Sequence, residues 1–491
     1  MKNKTLLIAL AIFTWTSCRN DKVAPPDESG YPLEISKIMV KKCATAGCHN
    51  SESRGNAGGL DYSSWNLMFE GGRNGTTVIP YSTAFSSMLY FVNTDSLKGP
   101  VALPTMPYLQ TPLSAAEYAT LKDWIEKGAP DKNGFVKFSD NPNRKKVYIT
   151  MQGCDVVGVM DAETKVIMRY IPVGVDPSIE GPHQVRISPD GKFWYVVFIT
   201  GGYLQKFRTS DDSRIGEADI GFADWNTIAF SPDSKTGYVS AVGAKQTAVV
   251  DLETMTHTST ISAPAYGSPH AGFVTSDNHY LYLSNQVGNF LTKVDLTTAP
   301  FYNSDDVILQ PGELRSNNAS YNPHEFGLSP DSTKYFVSCQ LSNEVRVFNL
   351  ANDSLLAVIP VGTKPQEFSV SHSTPYIFVT CTEDVLDAHR KGSVYIINYQ
   401  TLQVVGSVYP GYQPHGISVD DDHHCVYVAN LNFDTSGPAP HHSTTCGGRN
   451  GYMSIIDLHT LQLYTQHLSD GSSFEYKNEV LPFPYFVEYR K

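Results

Sequence analysis

A short motif recurs six times from about residue 145 onward, and this repetition constrains the fold more than any other feature of the 491-residue chain. Each copy begins with a Pro-His-like pair, continues through an apolar stretch to a turn such as Ser-Pro-Asp-Gly, and ends in a second apolar stretch. The residues after the proline, or at the equivalent position, are His183, Asn226, His270, His324, Gln366 and His415. Because successive copies start 42 to 54 residues apart, each is one structural unit, and the units must stack on one another.

The pattern within each unit predicts three or four short antiparallel strands. Ser-Pro-Asp sequences favour tight turns between apolar strands. Such a small sheet cannot bury both faces alone, so the units are expected to pack radially as blades of a β-propeller. Residues 147–165 supply late strands without an opening one, and Pro484-Tyr485 near the C-terminus has the opening pattern. A last strand that completes the first blade predicts seven blades, with six or eight as alternatives.

The strand sequences YVSA, YLSN and YVAN occur at residues 238–241, 282–285 and 427–430. With these strands the repeats resemble the YVTN family of seven-bladed propellers. The resemblance extends over residues 145–491 and implies the fold, but propellers carry many unrelated activities.

A second feature stands before the repeats, where residues 43–49 read CATAGCH. The usual covalent haem signal is C-x-x-C-H, and here four residues separate Cys43 from Cys48. The apolar spacing of Ile35, Ile38 and Met39 predicts a helix leading into the cysteines. Two interpretations stay open at this point, a lengthened haem site and a disulfide between the two cysteines.

The surrounding sequence resembles class I-like cytochrome c domains of the planctomycete and Bacteroidetes type. The matching pieces follow in order: Gly58-Gly59-Leu60-Asp61, Gly71-Gly72, Met106-Pro107 and the stretch WIEKGA at 124–129. The last belongs to a predicted helix that starts at Ser114 with Glu117 in a capping box.

This resemblance implies a role for each residue of a haem c site. Cys43 and Cys48 would hold haem c covalently, His49 would be the proximal iron ligand, and Met106 would be the distal one. Met68 and Met88 are the other candidates for the distal position. A His–Met pair fills both axial positions of the iron, which favours electron transfer over chemistry at the metal.

The N-terminus predicts export. Two lysines precede an apolar run at 6–13, which is too short to cross a bilayer, and Cys18 follows a stretch that resembles a lipobox. We expect acylated Cys18 to anchor the protein in the bacterial cell envelope on the periplasmic or outer side; the alternative is an ordinary signal peptide. The predicted divisions are a signal peptide at 1–17, a tether at 18–30, an all-α cytochrome c-like domain at 31–131, a linker at 132–144 and an all-β propeller at 145–491.

The recurring histidines are candidate ligands. Opening strands of propeller blades line the central channel, so His183, His270, His324 and His415 are expected to converge there. Imidazoles bind copper, iron or zinc, so at least three of them are candidates for a metal or substrate site. The alternative is that each ring bonds to a neighbouring blade. Glu325 and Glu367, one residue further on, are predicted to point to the other strand face.

The remaining cysteines give fewer constraints, because no spacing selects partners among Cys154, Cys339, Cys381, Cys425 and Cys446. Cys339 and Cys381 end apolar strands and are expected to be buried. An insertion at 433–451 carries His441, His442 and Cys446, which predicts either a metal site or a Cys425–Cys446 disulfide.

These features predict an exported haem c electron-transfer protein whose propeller binds a redox partner protein or a small-molecule substrate. The alternatives are a surface-anchored binding or scaffold protein in which haem is vestigial or peripheral, and a metal-dependent oxidoreductase that uses the His-lined channel. A formal net charge of −12 without a basic stripe argues against a nucleic-acid partner.

Overall fold

The computed structural model describes residues 28–262, 267–318, 321–442, 444, 446 and 448–490. The predicted signal peptide at 1–17, Cys18 and most of the tether lie outside these residues. Within the described part of the chain, no helix is both long and apolar enough to cross a membrane.

Seven antiparallel sheets, one for each blade, make up most of the described chain after residue 145, as the repeats predicted. Their strands, given from the innermost outward, are β31 (Pro484–Tyr489), β1 (Lys146–Met151), β2 (Val156–Asp161) and β3 (Val166–Pro172) in blade 1; β4 (Pro182–Ile187), β5 (Phe193–Phe198), β6 (Gly201–Arg208) and β7 (Arg214–Ala223) in blade 2; β8 (Trp225–Phe230), β9 (Thr236–Ala241), β10 (Gln246–Asp251) and β11 (Thr256–Ile261) in blade 3; β12 (Pro269–Val274), β13 (Tyr280–Asn285), β14 (Phe290–Asp295) and β15 (Ser304–Ile308) in blade 4; β16 (Pro323–Leu328), β17 (Lys334–Cys339), β18 (Glu344–Asn349) and β19 (Leu355–Pro360) in blade 5; β20 (Pro365–Val370), β21 (Tyr376–Val385), β22 (Lys391–Asn398) and β23 (Gln403–Val408) in blade 6; and β24 (Pro414–Asp420), β25 (Cys425–Asn430), β26 (Asn450–Asp457) and β27 (Gln462–Leu463) in blade 7. Strand β30 (Asn478–Pro482) also pairs with β26, and β28 (Thr465–His467) forms a hairpin with β29 (Ser473–Glu475).

The ring of blades is closed by the last strand of the chain. Strand β31 pairs antiparallel with β1, with Tyr489 opposite Val147 and Val487 opposite Ile149. Each innermost strand contacts the innermost strands of both neighbouring blades, including β24 with β31 and β31 with β4. The predicted seven blades and the predicted C-terminal closure are therefore confirmed.

The Ser-Pro-Asp sequences form the same hydrogen-bonded turn in three blades. The Ser188, Ser231 and Ser329 hydroxyls each donate to the carboxylate of the aspartate two residues later, at 2.6 Å. The same serine oxygens accept a backbone N–H from the start of the following strand. The turn residues recur because each blade needs this connection between its first and second strands.

Residues 28–145 form short helices joined by irregular chain. The α-helices are α1 (Leu33–Ile38), α2 (Trp65–Met68), α3 (Ser87–Val92) and α4 (Ala115–Glu126), with a π-type turn at Met39–Cys43 and 3-10 turns at Arg54–Asn56 and Ser96–Lys98. A further 3-10 turn, Leu296–Thr298, lies in blade 4. The helix predicted before the cysteines is thus present, with Ile35, Ile38 and Met39 buried. The predicted Ser114–Glu117 capping box is present at the start of α4.

The prediction of a separate all-α domain is not confirmed. Three of the four α-helices have only four to six residues. Such helices bury too little apolar surface to form a core of their own, so they share one with the propeller. Trp124 of α4 and Tyr148 of blade 1 belong to one buried cluster, and the Phe85 and Tyr170 rings lie 5.2 Å apart.

The cysteine pairing differs from the predicted alternative. Cys446 forms a disulfide with Cys154, which lies in the turn between β1 and β2, and not with Cys425. Cys425, Cys339 and Cys381 are buried free thiols. The insertion at 433–451 folds across to blade 1, which brings together two cysteines 292 residues apart in sequence. No local spacing could have indicated this pair.

Candidate functional site

The recurring Pro-His positions meet at the propeller axis. Each is the second residue of an innermost strand, and Tyr485 holds the same place in β31. We call His183, His270, His324, His415 and Tyr485 the channel ring. The four histidines are 2–6% exposed, so the channel ring forms a nearly closed layer across the axis.

The members of the channel ring contact one another in a complete circuit. Their ring centroids are 5.8 Å apart for His183–His270, 3.9 Å for His270–His324, 6.2 Å for His324–His415, 3.8 Å for His415–Tyr485 and 4.3 Å for Tyr485–His183. Asn226 and Gln366 occupy the equivalent positions in the two blades that contribute no aromatic ring. The prediction that the histidines come together is thereby supported in geometry.

The Nδ1 atom of every ring histidine has a hydrogen-bond partner, so the Nε2 atoms remain for other contacts. His270 Nδ1 donates to the His324 carbonyl at 3.3 Å, and His415 Nδ1 donates to the Tyr485 carbonyl at 3.2 Å. Side-chain amides of Gln152 and Gln286 contact Nδ1 of His183 and His324 at 2.8 and 3.3 Å. These bonds link neighbouring blades, as the alternative interpretation of the Pro-His pairs predicted.

Burial keeps the four imidazoles neutral. It lowers the pKa of His270 to about 4 and that of His415 to about 3. The pKa values of His183 and His324 are also lowered well below the usual range, first by burial and then by their histidine neighbours. Neutral imidazole is the form that binds a metal ion.

Glu367 lies against the channel ring, contrary to the prediction that it points to the other strand face. Its Oε1 is 3.7 Å from Nε2 of His324, and its ligand atom lies within 4.8 Å of those of His324 and His415. The pairing of β20 with β21 shifts register between Pro365 and Phe368. This irregularity breaks the strict alternation of side chains, which is why the two-residue period failed here.

The Glu325 carboxyl lies beside that of Glu367. Strand β16 shifts register between Pro323 and Phe326. Burial raises the pKa of Glu367 well above its usual range, and the neighbouring Glu325 carboxyl raises it further. The Arg186 guanidinium has the opposite effect on the pKa of both groups.

The CATAGCH stretch follows the helix and turn that end at Cys43. Cys43, Cys48 and His49 are each partly buried, and both thiols are free. Burial, and then the neighbouring Cys48 thiol, raise the pKa of Cys43 to about 12. The His49 Nδ1 atom donates to the Ala57 carbonyl at 3.1 Å, and burial lowers the pKa of the imidazole. The disulfide alternative is not formed in this structure.

The three candidate methionines differ in burial. Met106 is partly exposed and packs on the edge of the same core cluster as Cys43. Its backbone N–H donates to the Phe91 carbonyl at 2.8 Å. Met68 and Met88 are 1% and 5% exposed and lie inside that cluster. Of the three methionine side chains, Met106 is therefore the one that is not enclosed in the core.

The insertion does not assemble the predicted metal site of His441, His442 and Cys446, because Cys446 is in the disulfide. His442 Nδ1 lies 3.3 Å from Oε1 of Glu479, and the same carboxylate accepts the His441 and His442 backbone N–H groups. Phe91 of α3 contacts both imidazoles. These contacts hold the insertion against residues 28–145, which we call the N-terminal segment.

The fold defines a seven-bladed β-propeller, and the comparisons with known proteins agree. A Bacteroides uniformis protein, provisionally assigned as a 6-phosphogluconolactonase, gives a TM-score of 0.52 at 14% identity, over 71% of this chain and 99% of that one. A functionally unknown protein from Desulfotomaculum acetoxidans gives 0.50 at 12%, over 69% and 99%. The dihydro-heme d1 dehydrogenase NirN gives 0.47 at 12%, over 78% and 88%.

These similarities establish the fold alone. No protein-family model matches the chain, and no curated protein matches it. The function therefore has to be inferred from the side chains. The sequence analysis did not include one of them, Glu367, among the candidate ligands. The register shift in β20 that accompanies its position at the axis has no signal in the repeat pattern.

Proposed function

We propose that this protein is an exported electron-transfer protein that holds haem c in its N-terminal segment and binds a redox partner or substrate with its propeller. Cys43 and Cys48 attach the haem, His49 is the proximal ligand and Met106 the distal one. When bound, the haem would supply a one-electron redox centre.

The hydrogen bond from His49 to the Ala57 carbonyl is the observation that carries this proposal. A backbone carbonyl only accepts, so Nδ1 must carry the proton and Nε2 keeps its lone pair. Iron-binding histidines are oriented by the same kind of second bond. With two free thiols next to a neutral imidazole in this tautomer, the residues present fit covalent haem.

Met106 supports the proposal independently of the cysteines. It packs against the cluster that Cys43 also contacts, and it is not enclosed in the core as Met68 and Met88 are. A thioether opposite an imidazole raises the reduction potential of the iron. These observations support Met106 as the second iron ligand beside His49.

Export and anchoring are part of the proposal and rest on the N-terminal sequence. The apolar run at 6–13 and the lipobox-like stretch before Cys18 favour a lipid-anchored protein of the cell envelope. Haem c attachment and the Cys154–Cys446 disulfide both suit an oxidising compartment outside the cytoplasm. The propeller would then present its surface to a redox partner or a small substrate.

The test is to export the whole chain from bacteria that carry the cytochrome c maturation system. We expect a pyridine haemochrome spectrum of covalent haem that resists acid extraction. Cys43→Ala with Cys48→Ala should remove it, and Cys381→Ala, which changes a buried thiol of blade 6, should keep it. Haem-free wild-type protein from cells that mature a reference cytochrome would overturn the proposal in favour of a binding or scaffold protein.

The distal ligand has its own test. Met106→Ala should open the sixth iron position and lower the reduction potential, whereas the buried Met88→Leu should change neither. An unchanged spectrum in Met106→Ala would refute Met106 as the ligand while leaving covalent attachment intact.

A further inference from the structure

We propose that His324, Glu367 and His415 bind a divalent transition-metal ion at the propeller axis. This site is separate from the haem site and does not depend on it. It also differs from the four-histidine site expected from the sequence, because it includes a carboxylate and leaves out His183 and His270.

The three side chains come from consecutive blades. His324 is on β16 of blade 5, Glu367 on β20 of blade 6 and His415 on β24 of blade 7. They are 2%, 3% and 3% exposed, and their ligand atoms lie within 4.8 Å of one another. Ligands about 2.0–2.2 Å from a tetrahedral ion are roughly 3.4 Å apart, and His324 Nε2 is already 3.7 Å from Glu367 Oε1.

An unsatisfied atom points into this cluster. His324 Nε2 is buried and has no hydrogen-bond partner, and Oε2 of the neighbouring Glu325 is in the same condition. Leaving a buried polar atom unpaired costs about 1–3 kcal/mol, so native proteins rarely do so without a reason. A metal ion at the centre of the three side chains would give His324 Nε2 its partner.

The hydrogen bonds around the cluster orient the imidazoles for such an ion. The Tyr485 carbonyl fixes the His415 proton on Nδ1, which leaves the Nε2 lone pair free. The Gln286 side-chain amide contacts Nδ1 of His324, and rotation of the amide would present its oxygen and fix that proton in the same way. Metal-binding histidines usually carry this kind of supporting bond.

Charge also favours a cation. Glu325 and Glu367 are 6% and 3% exposed, and their carboxyl groups are neighbours. A divalent ion bound by Glu367 would offset the negative charge that two buried carboxylates bring together. Two imidazoles and one carboxylate form a donor set that suits zinc or iron(II) and leaves coordination positions for water or a substrate oxygen.

Zinc binding to the full chain tests the inference. The protein is prepared with Cys43→Ala and Cys48→Ala, so that the CATAGCH thiols cannot compete and the fate of the haem proposal has no influence. After removal of metals with a chelator, titration calorimetry with Zn²⁺ should show one equivalent bound. Glu367→Gln should weaken binding at least about tenfold.

The matched control is His183→Asn, which changes a histidine of the same channel ring outside the ligand set. We expect less than about a threefold change in zinc affinity for it. Equal zinc binding by Glu367→Gln and its parent, no zinc binding by the parent, or equal loss in His183→Asn would each overturn the assignment. Thermal melts in chelator establish that each variant is folded, and Glu367→Gln keeps the size of the side chain.

Discussion

The propeller and the N-terminal segment are specified in opposite ways. The seven blades repeat one local pattern. A Pro-His-like pair, a hydrogen-bonded turn and buried strands recur along the chain. The N-terminal segment has no repeat, and within residues 28–145 only one α-helix is longer than six residues. It completes its core on blade 1, so its stability is tied to the propeller, whereas its candidate chemistry depends on single side chains.

The fold of the propeller is encoded several times over, whereas the proposed channel site is encoded once. The repeat tolerates variation at any one blade, as Asn226 and Gln366 in place of histidine demonstrate. The channel site exists only where three particular blades contribute His324, Glu367 and His415.

The largest effect should come from removing residues 484–491, which opens the ring. Strand β31 buries Phe486, Val487 and Tyr489 against neighbouring strands. At about 1.5–3 kcal/mol for each large apolar side chain, the loss is comparable to the whole stability of a domain. We expect no cooperative thermal transition by circular dichroism. A chain without only Arg490 and Lys491 keeps the strand and should still melt cooperatively; equal melting of the two would contradict closure by β31.

Trp124→Ala tests whether the N-terminal segment shares its core with the propeller. Trp124 is 5% exposed and donates to the Pro130 carbonyl. Its loss should cost about 3–5 kcal/mol. The matched change is Trp225→Ala in blade 3, where the indole also donates to a backbone carbonyl. One shared transition should shift in both variants by calorimetry; a separate early transition that moves only in Trp124→Ala would make the segment an independent domain.

Removing the Cys154–Cys446 disulfide should destabilise the protein by about 2–4 kcal/mol. This bond fastens the insertion of blade 7 to blade 1. In urea unfolding, a reductant should destabilise the wild type and leave the Cys154→Ala, Cys446→Ala double variant unaffected. Cys425→Ala should keep its sensitivity to reductant, and a loss of that sensitivity would assign the disulfide to Cys425 instead.

Ser114→Ala should cost about 1 kcal/mol, because the Ser114 hydroxyl accepts the Glu117 N–H at the start of α4. Thr120→Ala, at an exposed position of the same helix, should change the free energy of unfolding by less than about 0.5 kcal/mol. Equal effects in urea unfolding would remove the capping box as a source of stability.

The smallest effect is expected from Glu367→Gln measured in chelator. Burial and the neighbouring Glu325 carboxyl raise the pKa of Glu367, which favours its neutral form, and glutamine has nearly the same shape as that form. The free energy of unfolding should change by less than about 0.5 kcal/mol. A large loss of stability would mean that Glu367 is ionised and paired in the metal-free protein.

Several features were predictable because they depend on local chemistry. The turn serines, the capping box of α4 and the buried face of α1 follow from residue type and spacing, and all are present. Convergence of the Pro-His positions also followed, since equivalent residues of equivalent blades must reach the same axis. The side-chain direction of Glu367 did not follow, because a register shift in β20 replaces the two-residue alternation.

By itself, the sequence determined the repeating blade, because the blade is set by patterns within about fifty residues. The strand missing from the first blade also indicated closure by the C-terminal strand, and with it seven blades. Only the tertiary structure decided which cysteine Cys446 meets, where the N-terminal segment completes its core, and which carboxylate joins the channel histidines. These outcomes depend on contacts between residues from different blades or distant segments, which the local spacing of residues cannot indicate.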